Sequence, residues 1–218
     1  MTGSRVSGQG WRTPPQDNPL PEAGPDDPAG PAQGLRACPG MRREGPRLLT
    51  VGHGTASSNE FTRLVRAAGV QLVADVRSAP GSRRSPQFGR AEMQAWLPEA
   101  GIGYRWEARL GGFRRPVPDS PNVMLRHAAF RGYADYMASD MFGEALAGLV
   151  SEAWRQVTAV MCAETLWWRC HRRLIADAAV LLYGAGVWHL GHDGRLTAHE
   201  LTDGARRGVS GHLIYDRG

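Results

Sequence analysis

From Arg47 onward, short apolar runs alternate with amphipathic stretches. RLLTVGHG is an apolar run closed by Gly-His-Gly, the pattern of a buried strand followed by a turn. In SSNEFTRLVRAAG, Phe61, Leu64, Val65 and Ala68 share one helical stripe. Ser57 or Ser58 is placed to cap this helix, and Gly69 to end it. VQLVADVR predicts a second buried strand, RAEMQAWLPEAG a second helix and IGYRWEARL a third strand. FRGYADYMASDMFGEALAGLVSEAW predicts one or two helices whose aromatics fall at core spacing. VTAVMCAE is a β-branched fourth strand. RCHRRLIADAAVLLYGAG is a helix with Leu174, Ile175, Ala178, Leu181 and Leu182 on its buried stripe, and VWHLG is a fifth strand. TAHELTDGARR is expected to close the fold as a helix.

Strands alternating with helices define βαβ units. The expected fold class is therefore α/β: a single domain with a mainly parallel sheet of about five strands and helices on both faces. Its expected bounds are residues 47–207. Residues 1–46, rich in Pro, Gly and Asp and without an apolar period, are expected to be a disordered leader, and residues 208–218 a loose tail. No stretch is apolar and long enough for a signal peptide or a membrane span, so no membrane partner is expected and the cytosol is the expected location.

Composition adds two points. The formal net charge is +5, and with no lysine in the chain every Lys/Arg charge is an arginine. The excess reflects either codon usage or phosphate recognition, for which the guanidinium fork is suited. The three cysteines, Cys38, Cys162 and Cys170, are an odd count that argues against a disulfide framework and for free thiols, or at most one metal or redox pair.

In open parallel sheets, ligands bind outside the carboxyl ends of the strands. Ionisable groups fall where the apolar runs stop: His53 after the first, Asp75 and Arg77 after the second, Cys162 and Glu164 after the fourth. Each also has a plain reading, as a turn-bonded histidine, a structural acid or a small buried hydrophobe. Together they predict one edge bearing a site, with His53, Asp75, Cys162, Glu164 and His171 as catalytic candidates. Ser78 and Arg83, in the basic loop SAPGSRRSPQFG, join Arg77, Arg169, Cys170 and Arg172 as anion-binding candidates. A helix starting near Trp168 or Arg169 would place Cys170 and His171 in its first turns. Its free amides would favour an anion and a thiolate there. Zinc on Cys162, Cys170 and His171, with or without His53, is disfavoured: the short Cys-x-x-Cys spacing is missing, and adjacent helical residues point about 100° apart. A Cys162–Cys170 redox pair needs their Cα atoms within about 7 Å.

The blocks TVGHGTASSNEF, VADVRSAPGSRRSPQF, LGGFR, FRGYADYM and VMCAETLWWRCHRRLIAD, in this order, resemble domain of unknown function family 488. The resemblance implies a cytosolic bacterial α/β domain and leaves its cofactor and reaction unknown. It carries over to His53, Asp75, Arg77, Ser78, Pro80, Arg83, Phe88, Cys162, Glu164, Cys170, His171 and Arg172. One departure is Gly54, where the family often has Ser after His.

Two main functions follow, with a metal-dependent protein as a third reading that elemental analysis would decide. The first is an enzyme acting on an anionic small molecule, nucleotide or nucleic acid, with Cys162 or Glu164 reacting and His53 or His171 moving protons. The second is a non-catalytic nucleic-acid or nucleotide-binding module on the same basic edge. Strand-end Cys, Glu, Asp and His exceed what phosphate binding requires, which favours the enzyme.

Overall fold

The computed structural model describes residues 47–81 and 83–218; the expected leader, Cys38 and Ser82 lie outside the described residues. Five parallel strands form the body of one sheet: β1 (Arg47–Gly52), β2 (Leu72–Asp75), β3 (Gly103–Trp106), β4 (Thr158–Cys162) and β5 (Gly186–Leu190). A sixth, β6 (Leu196–Ala198), joins β5 antiparallel, giving the order β3-β2-β4-β1-β5-β6. The fold class is α/β as expected, with six strands rather than about five.

The correction lies in the segment expected to be a closing helix. Asp193-Gly194, with Gly194 at φ 80°, turns the chain back, and Leu190 pairs with Leu196. An Asp-Gly step is a hairpin signal that outweighs a weak helical pattern. The expected loose tail is also structured: β8 (Leu213–Tyr215) pairs with β7 (Ala205–Arg207). Tyr215 is fully buried, and its hydroxyl donates to Asp177 Oδ2 at 3.0 Å.

The central strands are buried on both faces, which explains their continuous apolar runs. Neighbouring residues serve opposite cores. Leu49, Val51, Val73, Ala159 and Met161 pack with Phe61 and Val65 of α1 (Ser58–Ala67) and with Met93 and Leu97 of α2 (Arg90–Glu99). Leu48, Ala74 and Val160 face the other way. They pack with Tyr133 of α3 (Ala128–Tyr136), Leu146 and Leu149 of α4 (Asp140–Arg155), and Leu174 and Ile175 of α5 (Arg172–Tyr183). Each fully buried aliphatic or aromatic side chain contributes roughly 1.5–3 kcal/mol. Ser57 is the cap of α1: its Oγ accepts from Glu60 N at 3.2 Å, while Glu60 Oε2 accepts from Ser57 N at 2.8 Å.

The connection leaving β1 enters α1 on one face, and the connection leaving β4 enters α5 on the other. Adjacent strands whose exits diverge open a crevice at their carboxyl ends, the usual ligand position in such sheets. Among the described residues, no helix is long and apolar enough to cross a membrane.

Candidate functional site

The predicted residues do meet at the carboxyl edge of the sheet, but they divide into two groups on opposite faces. On the α1–α2 face, Asp75 ends β2 and Arg77 follows two residues later. Arg77 Nε donates to Asp75 Oδ1 at 2.8 Å and its Nη2 to Oδ2 at 2.6 Å. The Arg77 amide and the Tyr104 hydroxyl, at 3.1 and 2.8 Å, complete the shell of this fully buried carboxylate. Arg77 Nη2 also reaches the Phe88 carbonyl at 2.7 Å, and Nη1 donates to His53 Nε2 at 3.3 Å. His53 stacks on Phe88 with ring centroids 4.2 Å apart and donates from Nδ1 to the Gly54 carbonyl at 3.0 Å. Burial, and then the Arg77 charge, pull its pKa down to about 4, so the ring is neutral.

These contacts reassign Arg77. It was expected to hold an anion, but Asp75, Phe88 and His53 engage its fork, and a buried acid needs such a partner. Beside the group lies a cleft of about 480 Å³ lined by His53, Arg77, Gln87, Glu164 and Thr165 among others. The departure at Gly54 has a local cause: the residue has φ +53°, and a side chain there would meet Thr165 Oγ1.

On the opposite face stands a cluster of sulfur and nitrogen. Helix α5 begins at Arg172, not near Trp168. Trp167–Arg169 form a single 3-10 turn, and Cys170 is extended at φ −122°, ψ 148°. Cys170 thus lies ahead of the helix, and the observed positions of its side chain and that of His171, rather than the backbone alone, remove the objection to their sharing a ligand. Cys162 Sγ, Cys170 Sγ and a ring nitrogen of His171 all lie within 4.8 Å of one another. Cys170 Sγ is 3.6 Å from His171 Nδ1 and accepts from Arg172 Nε at 3.3 Å. His171 Nε2 donates to the Val76 carbonyl at 3.2 Å, which leaves Nδ1 with its lone pair towards the sulfur. The guanidinium of Arg172, almost fully buried, also donates through Nη2 to the Glu164 carbonyl.

The two thiols act as a pair. A hydrogen bond from the Cys162 thiol, then His171 once its Nδ1 has taken up the thiol proton, and the Arg172 charge favour a thiolate on Cys170 against the cost of burying it. The same hydrogen bond, with burial, holds the Cys162 thiol well above its ordinary range. The electron-rich sulfur is therefore Cys170. The helix amides play a smaller part than expected, because those of Arg173 and Leu174 already donate to the Cys170 and His171 carbonyls.

The remaining candidates are more exposed. Glu164 lies on the surface of the loop that joins the two faces, and its Oε1 accepts weakly from Leu166 N at 3.4 Å. Arg83 and Arg169 are exposed. Ser78 Oγ donates to the Gly112 carbonyl at 2.9 Å and so fastens one loop to another.

Sequence reasoning missed a buried polar chain. Asp177 Oδ1 accepts from His199 Nε2 at 3.0 Å; His199 Nδ1 faces His189 Nε2 at 2.9 Å; His189 Nδ1 faces Thr50 Oγ1 at 2.6 Å. Trp167 stacks on His189 at 3.8 Å. The available signal was Asp177, an acid inside the apolar stripe of α5.

The fold and edge define an α/β protein with a polar carboxyl rim and a dithiol–imidazole centre. The family described as Domain of unknown function DUF488 matches residues 57–179, more than half of the chain, and the chain belongs to this family. The matched span includes Asp75, Arg77, Cys162, Glu164, Cys170, His171 and Arg172, and begins after His53. Comparison with curated proteins and with solved structures returned no match.

Proposed function

We propose that the chain is an enzyme working by thiol chemistry on an anionic substrate, with Cys170 as the reacting sulfur. The observation behind this reading is the convergence of Arg172 Nε, His171 Nδ1 and the Cys162 thiol on one sulfur atom. Cys162, the nucleophile suggested by the strand-end pattern, becomes the donor that steadies Cys170. The Cys170 sulfur bonds to an electrophilic atom of the substrate. The displaced group leaves with its electron pair, and His171 Nδ1 carries the thiol proton to it. Arg114, which donates to the Gly112 carbonyl beside His171, and exposed Arg169 give the surroundings the positive charge that an anion requires. Such a pairing of thiol, imidazole and guanidinium exceeds what a binding module needs.

Mass-spectrometric mapping of iodoacetamide adducts on the reduced chain tests the reading. Cys170 is expected to react faster than Cys162 and than free cysteine. In Arg172→Met the Cys170 rate is expected to fall by roughly tenfold, the equivalent of about 1.4 kcal/mol for a charge-assisted hydrogen bond. A Cys170 no faster than free cysteine, or one indifferent to Arg172→Met, would sink it.

A further inference from the structure

We propose that Cys162, Cys170 and His171 form a binding site for a soft divalent cation of the zinc class, which caps the thiols when no substrate is engaged. The inference rests on the reading above only in taking these thiols as the reactive centre. It adds the cofactor chemistry that regulates them.

The donor set comes first. Two thiolates and one imidazole are ligands for zinc, whereas magnesium and calcium prefer oxygen. The geometry comes second. Around a tetrahedral zinc with bonds of roughly 2.0–2.3 Å, donor atoms stand roughly 3.5–3.8 Å apart. Cys170 Sγ and His171 Nδ1 are 3.6 Å apart, and all three donors fall within 4.8 Å. Small side-chain rotations bring the third into range.

The outer contacts are those of a metal site. A ligating histidine generally donates its other ring nitrogen to a carbonyl or carboxylate, which fixes the tautomer and aims the lone pair. His171 does this to the Val76 carbonyl. Arg172 Nε donates to Cys170 Sγ, which offsets the negative charge that two thiolates bring to one ion.

Access is also present. Cys162 and His171 are only partly buried, so an ion has a way in. Gly112 sits against the ring of His171, where a Cβ would come within 3.0 Å of Nδ1. Lacking one, it leaves the ligating nitrogen approachable. The protein supplies three ligands, which leaves a fourth position for water or a substrate anion. An incoming ligand there can draw the ion away and free the sulfur.

The test uses the full chain, reduced and metal-free, in a Cys38→Ser background so that the third thiol cannot contribute. Equilibrium dialysis against Zn²⁺ alone is expected to show one ion per chain. Co²⁺ is expected to give a sulfur-to-cobalt charge-transfer band and the intense visible bands of tetrahedral geometry. Zn²⁺ should protect Cys162 and Cys170 from iodoacetamide, and EDTA should restore reactivity. Cys162→Ser, Cys170→Ser and His171→Asn should each weaken binding by more than the tenfold to hundredfold loss typical of an outer-shell change. Cooperative thermal unfolding of each metal-free variant separates a lost ligand from a lost fold. Cys162→Ser, at the less buried of the two thiol positions, keeps the test decisive if a Cys170 variant fails to fold. No stoichiometric ion, or binding that survives these substitutions, overturns the inference. A Cys170 that alkylates rapidly in a chain holding no ion removes the metal and leaves the thiol enzyme standing. An ion held by a Cys170 that is inert once stripped does the opposite.

Discussion

The two faces of the rim carry similar residue types in opposite states. On the α1–α2 side, Asp75, Arg77 and His53 saturate one another: the carboxylate accepts from Arg77 and Tyr104, and the guanidinium reaches Asp75, Phe88, His53 and Met93. On the α5 side, Arg172 Nε and the Cys162 thiol donate to the Cys170 sulfur, which stands 3.6 Å from His171 Nδ1. A polar group with all its partners supplied holds structure together. A polar group made electron-rich by its neighbours, with capacity left over, is equipped for chemistry. The lowered pKa of His53 thus follows from a saturated, buried arrangement, whereas the thiol pair is the arrangement on which the proposed chemistry rests.

The comparison breaks most visibly at Asp75. Asp75→Ala leaves the Arg77 charge buried and unpaired, and denaturant unfolding should show a loss of about 3–5 kcal/mol. A loss below about 1 kcal/mol would mean that the saturated side is not structural. Acid sharpens it next. His189 belongs to the other saturated chain, and burial, followed by His199 and Arg172, lowers its pKa from 6.5 to about 3. The unfolded chain takes up this proton first. Its contribution to stability is therefore complete above about pH 6.5 and declines as pH falls towards 3. His189→Gln should flatten the fall in denaturant midpoint between pH 7 and 4; an unchanged slope would remove His189 from the account. The smallest effect is expected on the α5 side. Cys162→Ser keeps the volume of a partly buried position and should change stability by less than about 1 kcal/mol. A larger loss would make the thiols part of the core.

The parallel body of the sheet was legible because Leu48–Val51, Leu72–Ala74 and Thr158–Met161 are buried on both faces and leave continuous apolar runs. The edge position of His53, Asp75 and Cys162 followed from where those runs stop. What could not be read was the face on which each side chain falls, because that depends on pleat register across strands distant in sequence. Asp75 and Cys162 end neighbouring strands yet point to opposite cores. The start of α5 was misplaced because Trp167–Arg169 carries a helical composition but closes only one 3-10 turn. That three-residue error concealed the meeting of Cys170 with His171. The segment after β5 was misread because a three-residue strand such as Leu196–Ala198 leaves almost no period, and only Asp193-Gly194 marked its turn.

The strand order has a consequence for biosynthesis. β1 emerges first from the ribosome, yet both its sheet neighbours, β4 and β5, lie beyond residue 157. Until more than a hundred further residues have been translated, the Leu48–Val51 segment has no backbone partner, while β2 and β3 can pair locally. The nascent chain thus carries a sticky unpaired segment until β4 has been translated, and β4 is the keystone that joins both halves of the sheet.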